Sequence, residues 1–233
     1  MIKEQEKCMT DITVRPADEI VNYLESVIAG HLRKNQSVLW LVPGGSASII
    51  ALDVLRLLEK YDTSQLSITL TDERYGLPGH PNENWTQLMR AGFRPIEART
   101  YRVLNGADVT DTALEYAKWL EAHRESADYA VGLFGIGADG HTAGIKPHTI
   151  AAQTSDTTSY FKGEDFERVT ITPAFIAQLD EAVVYTQGSA KFPTIDRLLN
   201  ESISVIEQPA QALKSTGKLT VFTDYTSHKK EKL

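Results

Sequence analysis

The sequence predicts an α/β fold: a mostly parallel sheet with helices on both faces. Two observations lead there. Short apolar runs rich in β-branched and aromatic residues alternate along the chain with stretches of helical period, and strands joined by helices pair in parallel. The length of 233 residues also suits one domain, 1–233, with a full core and no need of disulfides.

Residues 12–15 read as a short edge strand. Over 17–34, Ile20, Leu24, Val27, Ile28 and Leu32 recur at helical spacing. SVLWLV (37–42) is a continuous apolar run, hence a buried strand, which Pro43-Gly44-Gly45 breaks. A helix follows at 47–60, with Ile50, Val54, Leu57 and Leu58 on one face. LSITLTD (66–72) is the next strand. After it come a Gly-, Pro- and Asn-rich loop over 76–84, a short helix at 85–91 and a strand at 98–104. Ala113, Tyr116, Ala117 and Leu120 mark a helix at 109–126, and DYAVGLFGIG (128–137) is a strand running into glycines. The stretch 150–165 is polar and aperiodic, hence a loop. Further strands are expected at 168–172, 181–188, 203–207 and 218–224, with helices at 173–179 and 190–200.

Composition narrows the function. A formal net charge of -7 excludes a broad basic surface for nucleic acid, so an anionic ligand needs a local cluster of donors. The single cysteine, Cys8, allows no intrachain disulfide and no cysteine-built zinc site. No apolar run reaches membrane-spanning length and the first residues lack an apolar signal core, so a cytoplasmic protein is expected. The lysine-bearing tail SHKKEKL is expected to be solvated.

In sheets of this class ligands sit at the carboxyl ends of the strands, which points to the segments after the strong strands. Pro43-Gly44-Gly45-Ser46-Ala47-Ser48 opens a helix. Its glycines, hydroxyls and helix N-terminus suit a phosphate cradle, or form a tight turn with a serine cap. It lacks the Walker Gly-Lys-Ser/Thr ending. Asp72-Glu73-Arg74 sets three charges behind an apolar strand; Arg74 either pairs with a carboxylate or holds an anion, unless the segment is a solvated loop. His80, in the same loop, reads as a surface residue.

Gly135-Ile136-Gly137-Ala138-Asp139-Gly140-His141-Thr142 begins as G-x-G-x-x-G, with Asp156 about 20 residues on. It is not a dinucleotide fingerprint, because Gly144 and Pro147 oppose the helix such a motif requires. Its distinctive pair is Asp139 and His141: a carboxylate orients an imidazole that titrates near neutral pH, fit for acid–base work. The alternative is a structural loop histidine. Lys191, in Gly188-Ser189-Ala190-Lys191, stands at a helix start where the dipole disfavours a cation. A bound anion would remove that conflict, and Arg168 can join it; otherwise both are surface cations. No metal-ligand spacing occurs, so no metal is expected.

Together these segments resemble the 6-phosphogluconolactonase family, within the superfamily shared with glucosamine-6-phosphate isomerases and deaminases. The resemblance rests on PGGSAS, TDERYGLPGHPNENW, GIGADGHTAGIKP, RVTITPAFI and QGSAKF in this order. It implies a modified Rossmann-like fold, no cofactor, and hydrolysis of 6-phospho-D-glucono-1,5-lactone, a small sugar-phosphate lactone, by a monomer or small homo-oligomer. It further implies His141 as general base with Asp139, Asp72 and Arg74 in the same polar centre. Gly44, Gly45 and Ser46 become the phosphate loop, flanked by Arg168 and Lys191. Two departures stand out. Glu83-Asn84 replaces a common Ser-Asn, and Gly144-Ile145-Lys146-Pro147 replaces a common Ser-Leu-Phe-Pro. Against the deaminase branch, Arg74 stands where a tyrosine is usual, Thr142 where an isoleucine is, and Lys146 where a glutamate assists ring opening; GLPGHP leans the other way. A non-catalytic sugar-phosphate sensor would have no use for the Asp139–His141 pair.

Overall fold

A computed structural model describes residues 11–226. Seven strands form one parallel sheet in the order β1-β10-β9-β6-β2-β3-β5. They are β1 (Asp11–Pro16), β2 (Val38–Val42), β3 (Leu66–Leu70), β5 (Arg99–Thr100), β6 (Tyr129–Gly135), β9 (Glu181–Thr186) and β10 (Lys218–Thr223). Every pairing among them is parallel. The apolar runs earn this placement: each residue of β2 and β3 is buried, and Trp40, Leu41, Ile68, Val131 and Val183 are fully enclosed. As expected, β1 is an edge strand.

The connecting helices are α1 (Ile20–Leu32), α2 (Ser48–Leu58), α3 (Asn84–Arg90), α4 (Val109–Ser126), α5 (Pro173–Ile176) and α6 (Phe192–Asn200). Parallel crossovers are right-handed. The steps β1 to β2 and β2 to β3 run one way across the sheet; β5 to β6, β6 to β9 and β9 to β10 run the other. That direction change puts α1 and α2 on one face, where they pack together, and α4 and α6 on the other. The direction reverses between neighbouring β2 and β6. The segments that leave these two strands therefore diverge and open a crevice at their carboxyl ends.

A second, antiparallel sheet was not legible in the sequence. Its order is β4-β8-β7, from β4 (Asp72–Arg74), β8 (Glu167–Ile171) and β7 (Thr158–Lys162). At Thr71 the chain leaves the main sheet: the Thr71 N–H still reaches the Val42 carbonyl at 2.9 Å, while the Thr71 carbonyl accepts from Ile171 N–H at 3.1 Å. Asp72-Glu73-Arg74 is thus a strand, not a loop.

Three sequence expectations are corrected. Within 150–165 lie a 3-10 turn at Ile150–Ala152 and strand β7; β7 takes its conformation from its pairing with β8, which local polarity does not report. Residues 203–207 form no strand. They turn, with Glu207 and Gln208 N–H groups bonded to the Ser204 carbonyl, because β10 already has a neighbour on each side. The strand expected at 98–104 shrinks to Arg99–Thr100, and Val103 and Leu104 are buried by packing instead. No described helix is long and apolar enough to cross a membrane. Cys8 and the basic tail lie outside the described residues.

Candidate active site

A cleft of about 360 Å³ lies at the carboxyl ends of β2 and β6 and is walled by the second sheet. It brings together eight of the nine residues singled out above: Gly44, Gly45, Ser46, Asp72, Arg74, His141, Arg168 and Lys191 all line it. The ninth, Asp139, stands directly behind His141.

The 135–142 segment holds His141 by its own backbone. Gly137 N–H donates to the His141 carbonyl and Gly140 N–H to the Gly137 carbonyl, both at 3.0 Å. Thr142 Oγ1 donates to the Gly135 carbonyl at 2.9 Å. The imidazole folds back over residue 137, where a Cβ would sit 2.2 Å from Cε1 and Nδ1 of the ring, so only glycine fits. No helix begins among these glycines, which agrees with the rejected dinucleotide motif.

Asp139 Oδ1 lies 2.5 Å from His141 Nδ1 and accepts the His141 backbone N–H at 3.1 Å. Its other oxygen meets Lys146 Nζ at 3.4 Å. The bond from the His141 ring, with the backbone N–H and the Lys146 charge behind it, holds the Asp139 carboxyl well below the usual carboxylate range. An ionised Asp139 only accepts, so Nδ1 carries the proton. Nε2 of the neutral ring then keeps its lone pair, on a side chain that lines the cleft. Asp139 stays ionised throughout the range where an imidazole titrates. An acid-side loss of activity would therefore not report on Asp139.

Asp72 accepts from Thr71 Oγ1 at 2.9 Å. Loss of hydration pushes its pKa up, against the Thr71 hydroxyl and the charges of Arg168, His141 and Arg74. Its neighbour Glu73 points the other way and is fully enclosed. Glu73 Oε1 accepts the N–H groups of Arg74 and Asn84 at 2.7 Å, and Oε2 that of Trp85 at 3.0 Å. It thereby caps α3 from a distant strand. Burial pushes its carboxyl up to about 8, although the three N–H groups pull it down. Glu73→Gln keeps one acceptor oxygen but turns an NH2 toward backbone donors. It is expected to cost about 1–3 kcal/mol of stability, read from urea unfolding.

The cations come from both sheets: Arg74 and Arg168 from the second, Lys191 from the turn after β9 of the first. Arg74 and Arg168 stand directly across from each other on β4 and β8, an arrangement that costs stability without a counter-charge. Phe166 lies between them, its ring centroid 4.8 Å from the Arg74 guanidinium carbon and 5.7 Å from that of Arg168. Arg74 Nη1 reaches the Asn82 carbonyl at 3.3 Å. Neither Arg74 nor Lys191 forms an ion pair among the described residues. Lys191 ends a 3-10 turn at the start of α6, the position disfavoured by the helix dipole. Arg168 differs: Asp165 holds it in a two-pronged ion pair.

The glycine loop is braced by a residue to which sequence reading assigned no role. Asn84 is buried, donates from Nδ2 to the Asp72 carbonyl at 3.1 Å, and packs so closely that a Cβ at Gly44 would lie 2.3 Å from its Cγ. Asn84 and Asp165 are thus the site residues that motif reading missed, along with Lys146 as a cleft-lining ammonium. Asp165 had one signal, its place three residues before Arg168 in a polar hairpin; Asn84 had none in its local chemistry. His80 is a half-buried brace for this loop, with Nε2 3.0 Å from the Arg74 carbonyl. Among the described residues no group of three or more His, Cys, Asp or Glu side chains could hold a metal ion.

The arrangement offers an oriented imidazole, a cluster of cations and a glycine-rich helix start across one small crevice, the parts needed to bind a phosphorylated small molecule and move a proton on it. Known proteins share the framework. A 6-phosphogluconolactonase of Nostoc sp. is 24% identical over 225 residues, 92% of each chain. The crystal structure of a 6-phosphogluconolactonase from Shewanella baltica superposes with a TM-score of 0.74 at 23% identity, over 93% of this chain and 97% of that one. A monomeric glucosamine-6-phosphate deaminase gives 0.76 at 19% identity, over 92% and 97%. The fold is thus common to both activities. The family model for glucosamine-6-phosphate isomerases/6-phosphogluconolactonase matches residues 14–222, a span that holds the glycine loop, β4, the Asp139–His141 turn and both flanking cations, and the chain belongs to that family.

Proposed function

We propose that the protein hydrolyses 6-phospho-D-glucono-1,5-lactone to 6-phosphogluconate. The observation that carries this reading is the Asp139–His141 pair: its tautomer presents a basic Nε2 to the cleft that the glycine loop and the cations also line. A lactone is an activated ester, so the chemistry requires neither a covalent nucleophile nor a metal. Gly44, Gly45 and Ser46 hold the phosphate through N–H and hydroxyl donors, with Lys191 and Arg168 supplying charge. His141 takes a proton from water, the water oxygen attacks the C1 carbonyl, and the imidazolium then protonates the departing ring oxygen. Charge developing on the carbonyl oxygen needs donors. The N–H groups of Gly137, Gly140 and His141 are already bonded within the turn, and Arg74, which lines the cleft without an ion pair among the described residues, is the side-chain donor assigned to this role. Asp72 completes the polar centre. The protein works as one domain in the cytoplasm, as a monomer or small homo-oligomer.

The test is product formation from freshly generated lactone, corrected for spontaneous hydrolysis. The deaminase reading rests on the equal likeness of fold. Arg74 and the cationic Lys146 oppose it, and no ammonia is expected from glucosamine 6-phosphate. Ammonia release without lactone hydrolysis would reverse the assignment.

Phosphate contacts persist from ground state to transition state, so Lys191→Ala is expected to raise KM with kcat nearly unchanged. A lowered kcat at constant KM would remove Lys191 from the phosphate site.

A further inference from the structure

Arg168 is only 8% exposed, and its fork is already occupied. Nη1 donates to Asp165 Oδ1 at 2.7 Å and to the Phe166 carbonyl at 3.2 Å, and Nη2 donates to Asp165 Oδ2 at 2.8 Å. Of the five N–H donors of a guanidinium, three are therefore committed before any ligand arrives. Asp165 sits on the 163–166 turn between β7 and β8, closed by Gly163 N–H on the Phe166 carbonyl at 2.9 Å. Its side chain is 53% exposed and lines the same cleft as Lys191 and the glycine loop. A carboxylate thus stands where the phosphate of the proposed substrate would seek its arginine.

We infer that Asp165 is a resident counter-anion, and that its displacement sets an affinity threshold which a phosphate dianion passes and a monoanion does not. This rests on the proposed reading of the cleft as a phosphate site. A monoanionic ligand that displaces Asp165 swaps one carboxylate–guanidinium pair for another and still loses its own translational freedom. A phosphate dianion brings twice the charge to Arg168, Arg74 and Lys191, and so gains over the carboxylate it replaces. Asp165 also relieves the opposed Arg74 and Arg168 in the free protein, where two like charges face each other across a strand pair. The cost of exchange falls on every ligand equally, so it removes weak anions and leaves strong ones.

Asp165→Asn keeps an oxygen that accepts from Arg168 and removes the charge; Asp165→Ser is a second, smaller variant, with thermal unfolding to show that each is folded. Calorimetry at pH 8 and low ionic strength measures the Kd of inorganic phosphate and of acetate for wild type and both variants. Phosphate is expected to bind about tenfold more tightly to the variants, the scale of a charge-assisted hydrogen bond, and acetate, without measurable affinity for wild type, becomes detectable. Weaker or unchanged phosphate binding would overturn the inference and make Asp165 a positioning residue for Arg168. Phosphate binding to none of the three proteins would overturn it too. The lactonase reading fails separately, if wild type hydrolyses no lactone whatever its affinity for phosphate.

Discussion

Replacing His141 by alanine is expected to lower turnover of the lactone by roughly 10²–10⁴, the range for loss of a positioned acid–base group. The affinity for inorganic phosphate should stay close to wild type, because no phosphate donor is altered. The reason lies in the pairing of His141 Nδ1 with an ionised Asp139: the neutral ring has one basic nitrogen, and it belongs to the cleft. Near wild-type hydrolysis by the variant would move water activation to Asp72 or another carboxylate and refute the mechanism.

Nearly as large an effect is expected from a residue with no functional group. A Cβ at position 137 would lie 2.2 Å from two atoms of the His141 ring and 2.6 Å from Asp139 Oδ1. Gly137→Ala must therefore push the imidazole off its seat, and a displacement of about 1 Å costs on the order of 10² in rate. Steady-state kinetics should show this as a fall in kcat. The double variant Gly137→Ala/His141→Ala should be no slower than His141→Ala alone, because the glycine acts only through the ring. Additive losses would give Gly137 a separate role.

Much of the framework was written locally. Continuous apolar runs announced β2, β3, β6 and β9, and the helix at 109–126 appears with the bounds its period suggested. Misreadings cluster where conformation depends on a distant partner. Strand β7 exists because β8 lies beside it, while 203–207 finds no vacant sheet position. The same division runs through the site. Asp139 and His141 are two residues apart, so their pairing is a property of one turn and could be read there. The Arg74–Arg168 opposition, the Glu73 cap on α3 and the Asn84 brace under Gly44 join segments distant in the chain, and no local pattern encodes them.

The sequence by itself determined the parallel sheet, the four strand-end segments that carry the polar residues, and the imidazole–carboxylate pair. Hydrophobic period, glycine and short-range spacing all act within a few residues of themselves. Only the tertiary structure decided that these segments share one cleft. The strand order reverses between β2 and β6, and the chain bends at Thr71 into a second sheet that brings Arg74 and Arg168 to the cleft. It also decided which charges are already spent. Arg168 and Lys191 look alike as cations in the sequence, yet one is closed by Asp165 and the other is not, because ion pairing depends on which side chains approach within about 4 Å.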